Sequence, residues 1–558
     1  MNRRTFLKRI SQTAVVLGAT RSANELFASP SHDVPLATNQ LRIPTFFTSG
    51  DLVIARTDFN IYSGTKTNVI SVNNSFIGPT IKLQKGQNFS AKIVNNLTEP
   101  AVIHWHGLHA PAAMDGHPKN AIAAGASYDV SFPIIQRAGT YFYHSHTDMN
   151  TAKQTYMGLA GCFIVEDDEE KAVGLPSGEY DIPLMIQDKR FDSSKQLAYA
   201  PGDQAMPSGW LGDTILVNGT PDAVLDVSPT QYRFRIINAS NARTYKLALK
   251  GNLPSTTMTL IGNDGGLLPT PTLVTSVLLS PAERIDVIVD LRNEVQGSTL
   301  QIVSEKFDYS GSSGTSSLAQ GSAFNILDLQ VSKTGSSGFT TLPAVLSTME
   351  AYHQVDVKNS RLFAFNGTQY INFNSYDVNR IDEHVPLGAL EQWTFQNASE
   401  EAHPIHVHGT QFQVVSPVQP SEAGWKDVIR VEASHAVNVL VRFDTYTGIY
   451  LLHCHNLEHE DMGMMSNFQV EQVGAVRNQS EAQSLSLFPN PCNKTTLVSF
   501  SPIDDERQLI VTDFKGVELR REQVPVGVEM FGLDTSAFAE GTYFIKLGGQ
   551  LNKLIVLR

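Results

Sequence analysis

Short runs of alternating apolar and polar residues, separated by Gly, Pro and Asn, fill the chain between about residue 40 and residue 473. Examples are the segments 89–96 and 232–238. Alternation with a period of two buries one face of each run, and frequent turns join such strands into antiparallel sheets. No long stretch has the 3.6-residue period of a helix. We therefore expect an all-β chain built from antiparallel β-sandwiches.

A faint repeat divides this region into three parts. Val-Asn-Asn at 94–96 recurs as Ile-Ile-Asn-Ala-Ser at 236–240 and as Phe-Gln-Asn-Ala-Ser at 395–399. A chain of 558 residues has room for several domains of about 150 residues each. We expect three consecutive, related sandwiches, and their predicted spans are 40–170, 178–335 and 355–473.

Composition excludes several function classes. The net charge is −13, and no long basic run is present, which argues against a nucleic-acid partner. No apolar run reaches the roughly 18 residues that a transmembrane span needs. Three cysteines are too few for a disulfide scaffold.

The first 28 residues have the features of an export signal. Arg3-Arg4 is followed by Phe6-Leu7-Lys8 and by a weakly apolar stretch over 10–20. This order resembles a twin-arginine signal peptide, a route that carries folded proteins. We expect a signal peptide over 1–28; the alternative is an ordinary basic N-terminal helix.

Histidines are concentrated in four His-x-His pairs. Of the 16 histidines, eight lie in these pairs, far more than random placement in 558 residues would give: His104/His106, His144/His146, His406/His408 and His453/His455. In a strand, residues i and i+2 point to one face and residue i+1 points to the other. At His453-Cys454-His455 both imidazoles therefore share one face and the thiol lies on the opposite one. One strand is predicted to contact two metal sites.

The thiol side has the ligands of a blue-copper centre within reach. His403, His459 and Met464 complete a set of one Cys, two His and a weak axial Met, which is typical of copper electron-transfer sites. Zinc sites usually have closely spaced cysteine pairs, and this chain has none. The other eight histidines offer imidazole-only ligation, which suits copper that binds dioxygen. We expect that second site between the first and third sandwiches.

The histidine motifs resemble the four copper motifs of the multicopper oxidases. They stand in family order: 104–107 (HWHG), 144–146 (HSH), 403–409 (HPIHVHG) and 453–464 (HCH, then His459 and Met464). The resemblance implies three cupredoxin-like Greek-key sandwiches and four copper ions. It assigns type 1 copper to His403, Cys454, His459 and Met464, type 2 copper to His104 and His406, and the two type 3 coppers to His106, His144, His455 and to His146, His408, His453.

The family reaction, implied here by resemblance, couples four one-electron oxidations to reduction of O2 to water. Four protons are needed for each O2. Asp115 and Glu460 match positions where family members place acids near the oxygen-reducing centre. We predict that they relay protons; the alternatives are surface acids, or acids that orient the ligands.

The family branch suggests a reductant class. Segments such as 157–161, 186–188 and 424–427 resemble bacterial laccase-like and copper-efflux oxidases. Efflux oxidases often carry a Met-rich segment over type 1 copper, whereas residues 340–400 contain one methionine, Met349. We therefore expect a laccase-like enzyme with an open type 1 edge for phenols or aromatic amines. The alternatives are a metallo-oxidase for Cu(I) or Fe(II) in metal tolerance and, third, a copper-free cupredoxin scaffold.

The last segment, 485–558, differs from the rest. It opens with Phe-Pro-Asn-Pro at 488–491 and continues with a turn at 513–516 (DFKG) and the run 540–544 (EGTYF). Short β-like runs around these motifs predict a small C-terminal β-sandwich. It resembles the type A sorting domain of the type IX secretion system; the alternative is a carbohydrate-binding or adhesive module. The resemblance implies export machinery as a partner and an exported protein, found from the periplasm to the cell surface or secreted.

Overall fold

A computed structural model describes residues 39–202, 207–251, 257–339, 341–472, 485–500, 507–526, 530–548 and 550–558. The expected signal peptide lies outside these residues. The helices are short and serve as connections: Thr151–Tyr156 (α1), Asp168–Val173 (α2) and Leu457–Asp461 (α3), with single 3₁₀ turns at Pro118–Asn120, Gly178–Tyr180, Gln354–Asp356 and Pro420–Glu422. Within the described ranges, no helix has the length and apolar character needed to cross a membrane.

The N-terminal part of the body forms one sandwich. The described chain begins with the strand Asn39–Gln40 (β1). The strands of this sandwich follow in chain order: Phe46–Phe47 (β2), Asp51–Phe59 (β3), Thr67–Val72 (β4), Gly78–Gln84 (β5), Asn88–Asn95 (β6), Ile103–His106 (β7), Ser127–Pro133 (β8), Gly139–Ser145 (β9) and Ala160–Glu166 (β10). The two sheets have the orders β2-β5-β10-β9-β7 and β4-β3-β6-β8. A core that includes Trp105, Phe132 and Phe163 fills the space between them.

The central part forms a second, larger sandwich. Its strands are Asp181–Lys189 (β11), Thr214–Val217 (β12), Thr220–Pro221 (β13), Ala223–Val227 (β14), Gln231–Asn238 (β15), Tyr245–Lys250 (β16), Met258–Asn263 (β17), Gly266–Val274 (β18), Ser276–Leu279 (β19), Arg284–Asp290 (β20), Thr299–Ser304 (β21) and Phe324–Val331 (β22). The sheet orders are β13-β12-β11-β15-β20-β17-β18 and β1-β14-β22-β21-β16-β19. The first strand of the described chain, β1, thus belongs to this sandwich.

The third sandwich carries half of the histidine motifs. Its strands are Asn359–Asn366 (β23), Tyr370–Ile371 (β24), Glu383–Pro386 (β25), Leu390–Asn397 (β26), His403–Val407 (β27), Phe412–Val414 (β28), Val428–Val431 (β29), Ala436–Arg442 (β30), Gly448–Cys454 (β31) and Met465–Glu471 (β32). They form the sheets β24-β23-β26-β30-β28 and β25-β32-β31-β27-β29. Cys454 and Met464 belong to its apolar core, beside Trp393 and Phe395.

The C-terminal segment forms a smaller pair of sheets with its own core. Its strands are Ser486–Phe488 (β33), Thr495–Ser499 (β34), Arg507–Asp513 (β35), Glu518–Val524 (β36), Met530–Asp534 (β37), Gly541–Leu547 (β38) and Gln550–Val556 (β39). Their orders are β33-β34-β37 and β36-β35-β38-β39. The all-β class and the C-terminal β-domain expected from the sequence are confirmed.

The sheets of the body are mixed, whereas the sequence predicted antiparallel ones. Each of the six sheets of the body contains a parallel pair, for example β5 with β10 in the first sandwich and β23 with β26 in the third. The chain crosses from one sheet to the other and back. The returning strand then lies parallel to a strand that is not adjacent to it in the sequence. Alternation of apolar residues does not encode that pairing order, because it fixes which face is buried and not which strand lies alongside.

The repeated Asn marks the same structural position in all three sandwiches. Asn95, Asn238 and Asn397 each end a strand, and each is almost fully buried. The Asn238 side-chain amide donates to the carbonyls of Arg243 (2.8 Å) and Leu279 (2.9 Å), and its Oδ1 accepts from the amide of residue 240 at 3.1 Å. The other two Asn side chains make the same three types of contact: one carbonyl across the turn, one carbonyl of a distant segment, and the amide two residues on. The repeat therefore records a hydrogen-bonded corner of each sandwich.

We expect Asn238→Ala to destabilise the second sandwich by about 2 kcal/mol or more, because two buried carbonyls lose the side-chain amide that donates to them. Differential scanning calorimetry of the full chain measures this as a lower unfolding temperature. Asn325→Ala, which removes one exposed contact to Asp328, is the control, and its effect should stay within about 0.5 kcal/mol. Equal unfolding temperatures for the two variants would contradict this role of the corner Asn.

Candidate metal centre

Strand register brings the four histidine pairs together. In the first sandwich, β7 pairs with β9 so that His104 lies directly opposite His144. In the third, β27 pairs with β31 so that His406 lies opposite His453. The remaining members of the pairs either lie two residues further along the same strand or directly follow it. Because i and i+2 share a face, each strand pair presents four imidazoles to one side.

The eight imidazoles form three contiguous groups. His104 Nε2 and His406 Nε2 are 3.4 Å apart, which joins the first sandwich to the third. A second group has His144 Nε2 at 3.4 Å from His106 Nδ1 and 3.3 Å from His455 Nε2. A third has His453 Nε2 at 3.3 Å from His146 Nε2 and 3.0 Å from His408 Nε2. We call these eight residues the histidine cluster. Its two triplets contain the residues predicted for type 3 copper, and His104 and His406, predicted for type 2, lie in a group that also includes His106.

Acceptors behind the rings fix which nitrogen carries the proton. His104 Nδ1 lies 2.6 Å from the Asp115 carbonyl oxygen, and His406 Nδ1 lies 2.8 Å from the Asp427 carbonyl oxygen. A carbonyl can only accept, so both Nδ1 atoms donate and both Nε2 atoms present lone pairs. Hydrogen bonds of this kind orient metal-ligating histidines. Two lone pairs that face each other at 3.4 Å repel unless a cation lies between them.

Burial keeps seven of these imidazoles neutral. All eight side chains are at most 3% exposed. Loss of hydration, reinforced by the neighbouring imidazoles, lowers the pKa of His104, His106, His146, His406, His408 and His455 well below the usual range, and burial lowers the pKa of His144 to about 3. Neutral imidazole is the form that binds metal. A water-excluded set of converging nitrogen donors fits copper, so the donor chemistry matches the ion that the motifs imply.

A second donor group surrounds Cys454. Its Sγ lies 3.4 Å from His403 Nδ1 and 3.7 Å from His459 Nδ1, and these two nitrogens are 3.3 Å apart. Met464 is fully buried. Its backbone lies next to this group, because its amide donates to the His459 carbonyl at 3.0 Å and its carbonyl accepts from the Cys454 amide at 3.1 Å. Burial raises the pKa of the Cys454 thiol, so a bound cation is needed to keep it as a thiolate at neutral pH.

Within the described residues, this second group is covered and does not have the open edge that we expected. His459 is 0% exposed, and its Nε2 donates to the Pro207 carbonyl at 3.2 Å. The segment that follows Pro207 is held down by Glu458, whose carboxylate accepts from the Trp210 amide at 3.0 Å. A loop of the second sandwich thus covers the imidazole that the sequence alone leaves open.

Between them, the two predicted acids contact the three imidazoles of the third group. Asp115 Oδ2 lies 2.7 Å from His408 Nδ1. The two Glu460 oxygens lie 3.2 Å from His453 Nδ1 and 3.5 Å from His146 Nδ1. Asp115 is 1% exposed and Glu460 0%, so neither is a surface acid. Burial raises the pKa of Asp115 well above its usual range.

Asp427 is a site residue that sequence reasoning missed. Its Oδ1 lies 3.1 Å from His106 Nε2, while its carbonyl oxygen accepts from His406 as described above. In the sequence, the segment 424–427 resembles related oxidases but does not indicate this contact. An available signal was the charged Lys426-Asp427 pair directly before the apolar strand β29, because charges at such a position are buried and need partners.

Comparison with known proteins identifies the family. Sequence profiles described as multicopper oxidase match residues 53–170, 187–317 and 345–473. A profile described as a secretion system C-terminal sorting domain matches residues 486–556. This domain implies export through the corresponding machinery, as the sequence motifs predicted.

Similar proteins cover most of the body. The multicopper oxidase mco of Staphylococcus aureus is 34% identical over 423 residues, which span 74% of this chain and 86% of that protein. A laccase of Bacillus subtilis is 31% identical over 469 residues, 72% of this chain and 89% of its own. The crystal structure of McoA multicopper oxidase from Aquifex aeolicus superposes with a TM-score of 0.71 at 37% identity, and covers 78% of this chain and all of that one.

These matches and the buried donor groups agree on one chemistry, that of a copper oxidoreductase with O2 as electron acceptor. The chain belongs to the multicopper oxidase family.

Proposed function

We propose that the protein is a laccase-like oxidase that holds four copper ions and oxidises phenols or aromatic amines. The proposed ligands are His403, Cys454, His459 and Met464 for type 1 copper, His104 and His406 for type 2, and the two triplets His106, His144, His455 and His146, His408, His453 for type 3. When bound, copper supplies one-electron oxidation of the reductant at type 1 and four-electron reduction of O2 at the histidine cluster.

The placement of Cys454 between His453 and His455 carries this proposal. The thiol lies with His403 and His459, while both neighbouring imidazoles belong to the histidine cluster. Cys454 is bonded directly to His453 and to His455. Two short covalent paths along the backbone therefore join the one-electron site to the four-electron site. A donor site kept apart from the O2 site in this way limits release of partly reduced oxygen.

The chain also supports delivery of electrons and protons. Because His459 donates to the Pro207 carbonyl, we infer that an electron from the reductant reaches the thiolate site through this hydrogen bond or past the rim of the covering loop. Asp115 and Glu460 are proposed to hold protons at carboxylate oxygens beside the His146–His408–His453 triplet.

A metallo-oxidase for Cu(I) or Fe(II) is the second candidate, and two observations near His403 and His459 favour it. His459 is 0% exposed beneath Pro207, so an aromatic ring cannot touch this imidazole in the observed arrangement. Glu401, which is 7% exposed and two residues before His403, accepts from the Ser312 amide at 2.7 Å with Oε1, and its Oε2 has no hydrogen-bond partner among the described residues. A carboxylate of this kind is a reasonable ligand for a metal-ion reductant.

The proposed location is outside the inner membrane. The sorting domain at 486–556, together with the twin-arginine-type signal proposed for 1–28, supports passage through the periplasm to the cell surface or release from the cell.

Steady-state kinetics separate the candidate functions. We expect kcat/KM, measured by oxygen uptake with and without added copper, to be higher for a phenol or an aromatic amine than for Cu(I) or Fe(II). The reverse order would establish the metallo-oxidase. A protein that stays colourless after copper loading and consumes no oxygen would be the copper-free scaffold.

Cys454→Ser tests the thiolate site. We expect loss of the blue thiolate-to-copper absorption and of reductant oxidation, because hydroxyl is a poor substitute for a soft thiolate ligand, while copper at the histidine cluster is retained. Absorbance and copper content per chain measure this. Cys162→Ser, which alters another buried cysteine, is the control and should keep the colour. A blue Cys454→Ser protein would refute the assignment.

Glu460→Gln tests the proposed proton relay. We expect O2 reduction to slow by ~10²-fold or more with an increased solvent isotope effect, since the amide cannot hand on a proton. Copper content should stay at the wild-type value. Glu391→Gln, a buried carboxylate of the same sandwich paired with Arg361, is the control. Unchanged turnover rejects the relay, and loss of copper would indicate that Glu460 only orients histidines.

A further inference from the structure

Arg284 is buried at the first position of β20, in the sandwich that supplies none of the proposed copper ligands. Its guanidinium donates to both Asp427 oxygens, from Nη1 at 2.5 Å and from Nη2 at 2.6 Å. Its other three N–H groups donate to the carbonyls of Thr140 (3.0 Å), Ala282 (3.1 Å) and Asp264 (2.9 Å). All five donors are satisfied, and both partners are 0% exposed, so the orientation of the pair is fixed.

Asp427 connects this fixed guanidinium to two histidines from different sandwiches. Its Oδ1 accepts from His106 Nε2 at 3.1 Å, and its carbonyl oxygen accepts from His406 Nδ1 at 2.8 Å. A carboxylate paired with Arg only accepts, so the His106 proton is held at Nε2. The His106 Nδ1 lone pair is thereby turned towards His144 Nε2.

The backbone next to His106 is shaped for this contact. Gly107 has φ of 83°, and a Cβ at this position would lie 2.6 Å from Asp427 Oδ2 and 2.7 Å from Arg284 Nη2. Only glycine leaves room for the pair to approach the histidine strand.

The charges around the pair argue against a role in stability alone. Lys426 Nζ lies 2.9 Å from Asp264 and 2.8 Å from Glu283, so two cations and three carboxylates share one buried space. Buried ion pairs contribute little net stability, because desolvation offsets their attraction. The buried charges at the junction of the three sandwiches are therefore better explained by the histidines that they orient.

We propose that Arg284 and Asp427 are positioning residues for the oxygen-reducing centre, through which the second sandwich sets the orientation of His106 and His406. The proposal rests on the copper assignment above. The test compares copper binding by the variants with copper binding by the wild type. A wild-type protein without blue copper would therefore overturn the copper assignment, and not this inference.

Arg284→Gln is the principal test, with Arg233→Gln as the matched control. Arg233 lies on the neighbouring strand β15, is also buried, and pairs with Asp286 and Glu170 without touching a histidine. For Arg284→Gln we expect the blue absorption of type 1 copper to persist. Affinity for copper at the histidine cluster should fall 10- to 100-fold, and the electron paramagnetic resonance signal of type 2 copper should change. Arg233→Gln should lower the unfolding temperature and leave copper content and the type 2 signal unchanged.

Two further variants keep the test decisive if Arg284→Gln fails to fold. Arg284→Lys retains the charge but cannot bind both Asp427 oxygens, and Asp427→Asn removes the paired carboxylate. Each should alter the type 2 signal, and the double variant Arg284→Lys/Asp427→Asn should be no worse than the more severe single one if the two act as a unit. Wild-type copper affinity and an unchanged type 2 signal in these variants would overturn the proposal.

Discussion

Imidazole lone pairs that face each other in a space closed to water are the constraint on which the rest of the structure depends. His104 and His406 approach to 3.4 Å with their protons turned away towards backbone carbonyls. Without a cation, this arrangement combines the cost of removing the imidazoles from water with repulsion between their lone pairs. The chain nevertheless repeats it in three groups, which makes sense only for a protein whose native state includes metal.

The β-sandwich framework explains how such a centre is assembled. A strand offers every second residue to one side, so a His-x-His pair gives two imidazoles to the histidine cluster without backbone strain. Pairing β7 with β9 and β27 with β31 doubles this to four ligands on each sandwich. Cys454, the residue between His453 and His455, is also a proposed ligand. The chain thus has two sites of different chemistry that share a strand.

Sequence reasoning predicted what is encoded locally. The all-β class, the multicopper oxidase family and the sorting domain are confirmed, because alternation and short motifs carry them. The ligand positions remain predictions, although the structure brings all of those histidines into buried groups with Cys454. Features made by distant segments were missed: Arg284 meets Asp427 across 143 positions, and Pro207 covers His459 across 252. The parallel strand pairs were missed for the same reason.

The second sandwich, which holds none of the proposed ligands, is the element that these missed contacts share. Besides Arg284 and Pro207 it supplies Asn241, whose side chain donates to Ala152 of the first sandwich at 3.0 Å and to Glu458 of the third at 2.8 Å. A centre whose ligands come from two separate sandwiches depends on their relative placement, and small displacements of ligands are costly for reactivity. A third body bonded to both removes that freedom. The middle of the chain thus contributes to the chemistry by fixing the distance between the two sandwiches that carry the histidines.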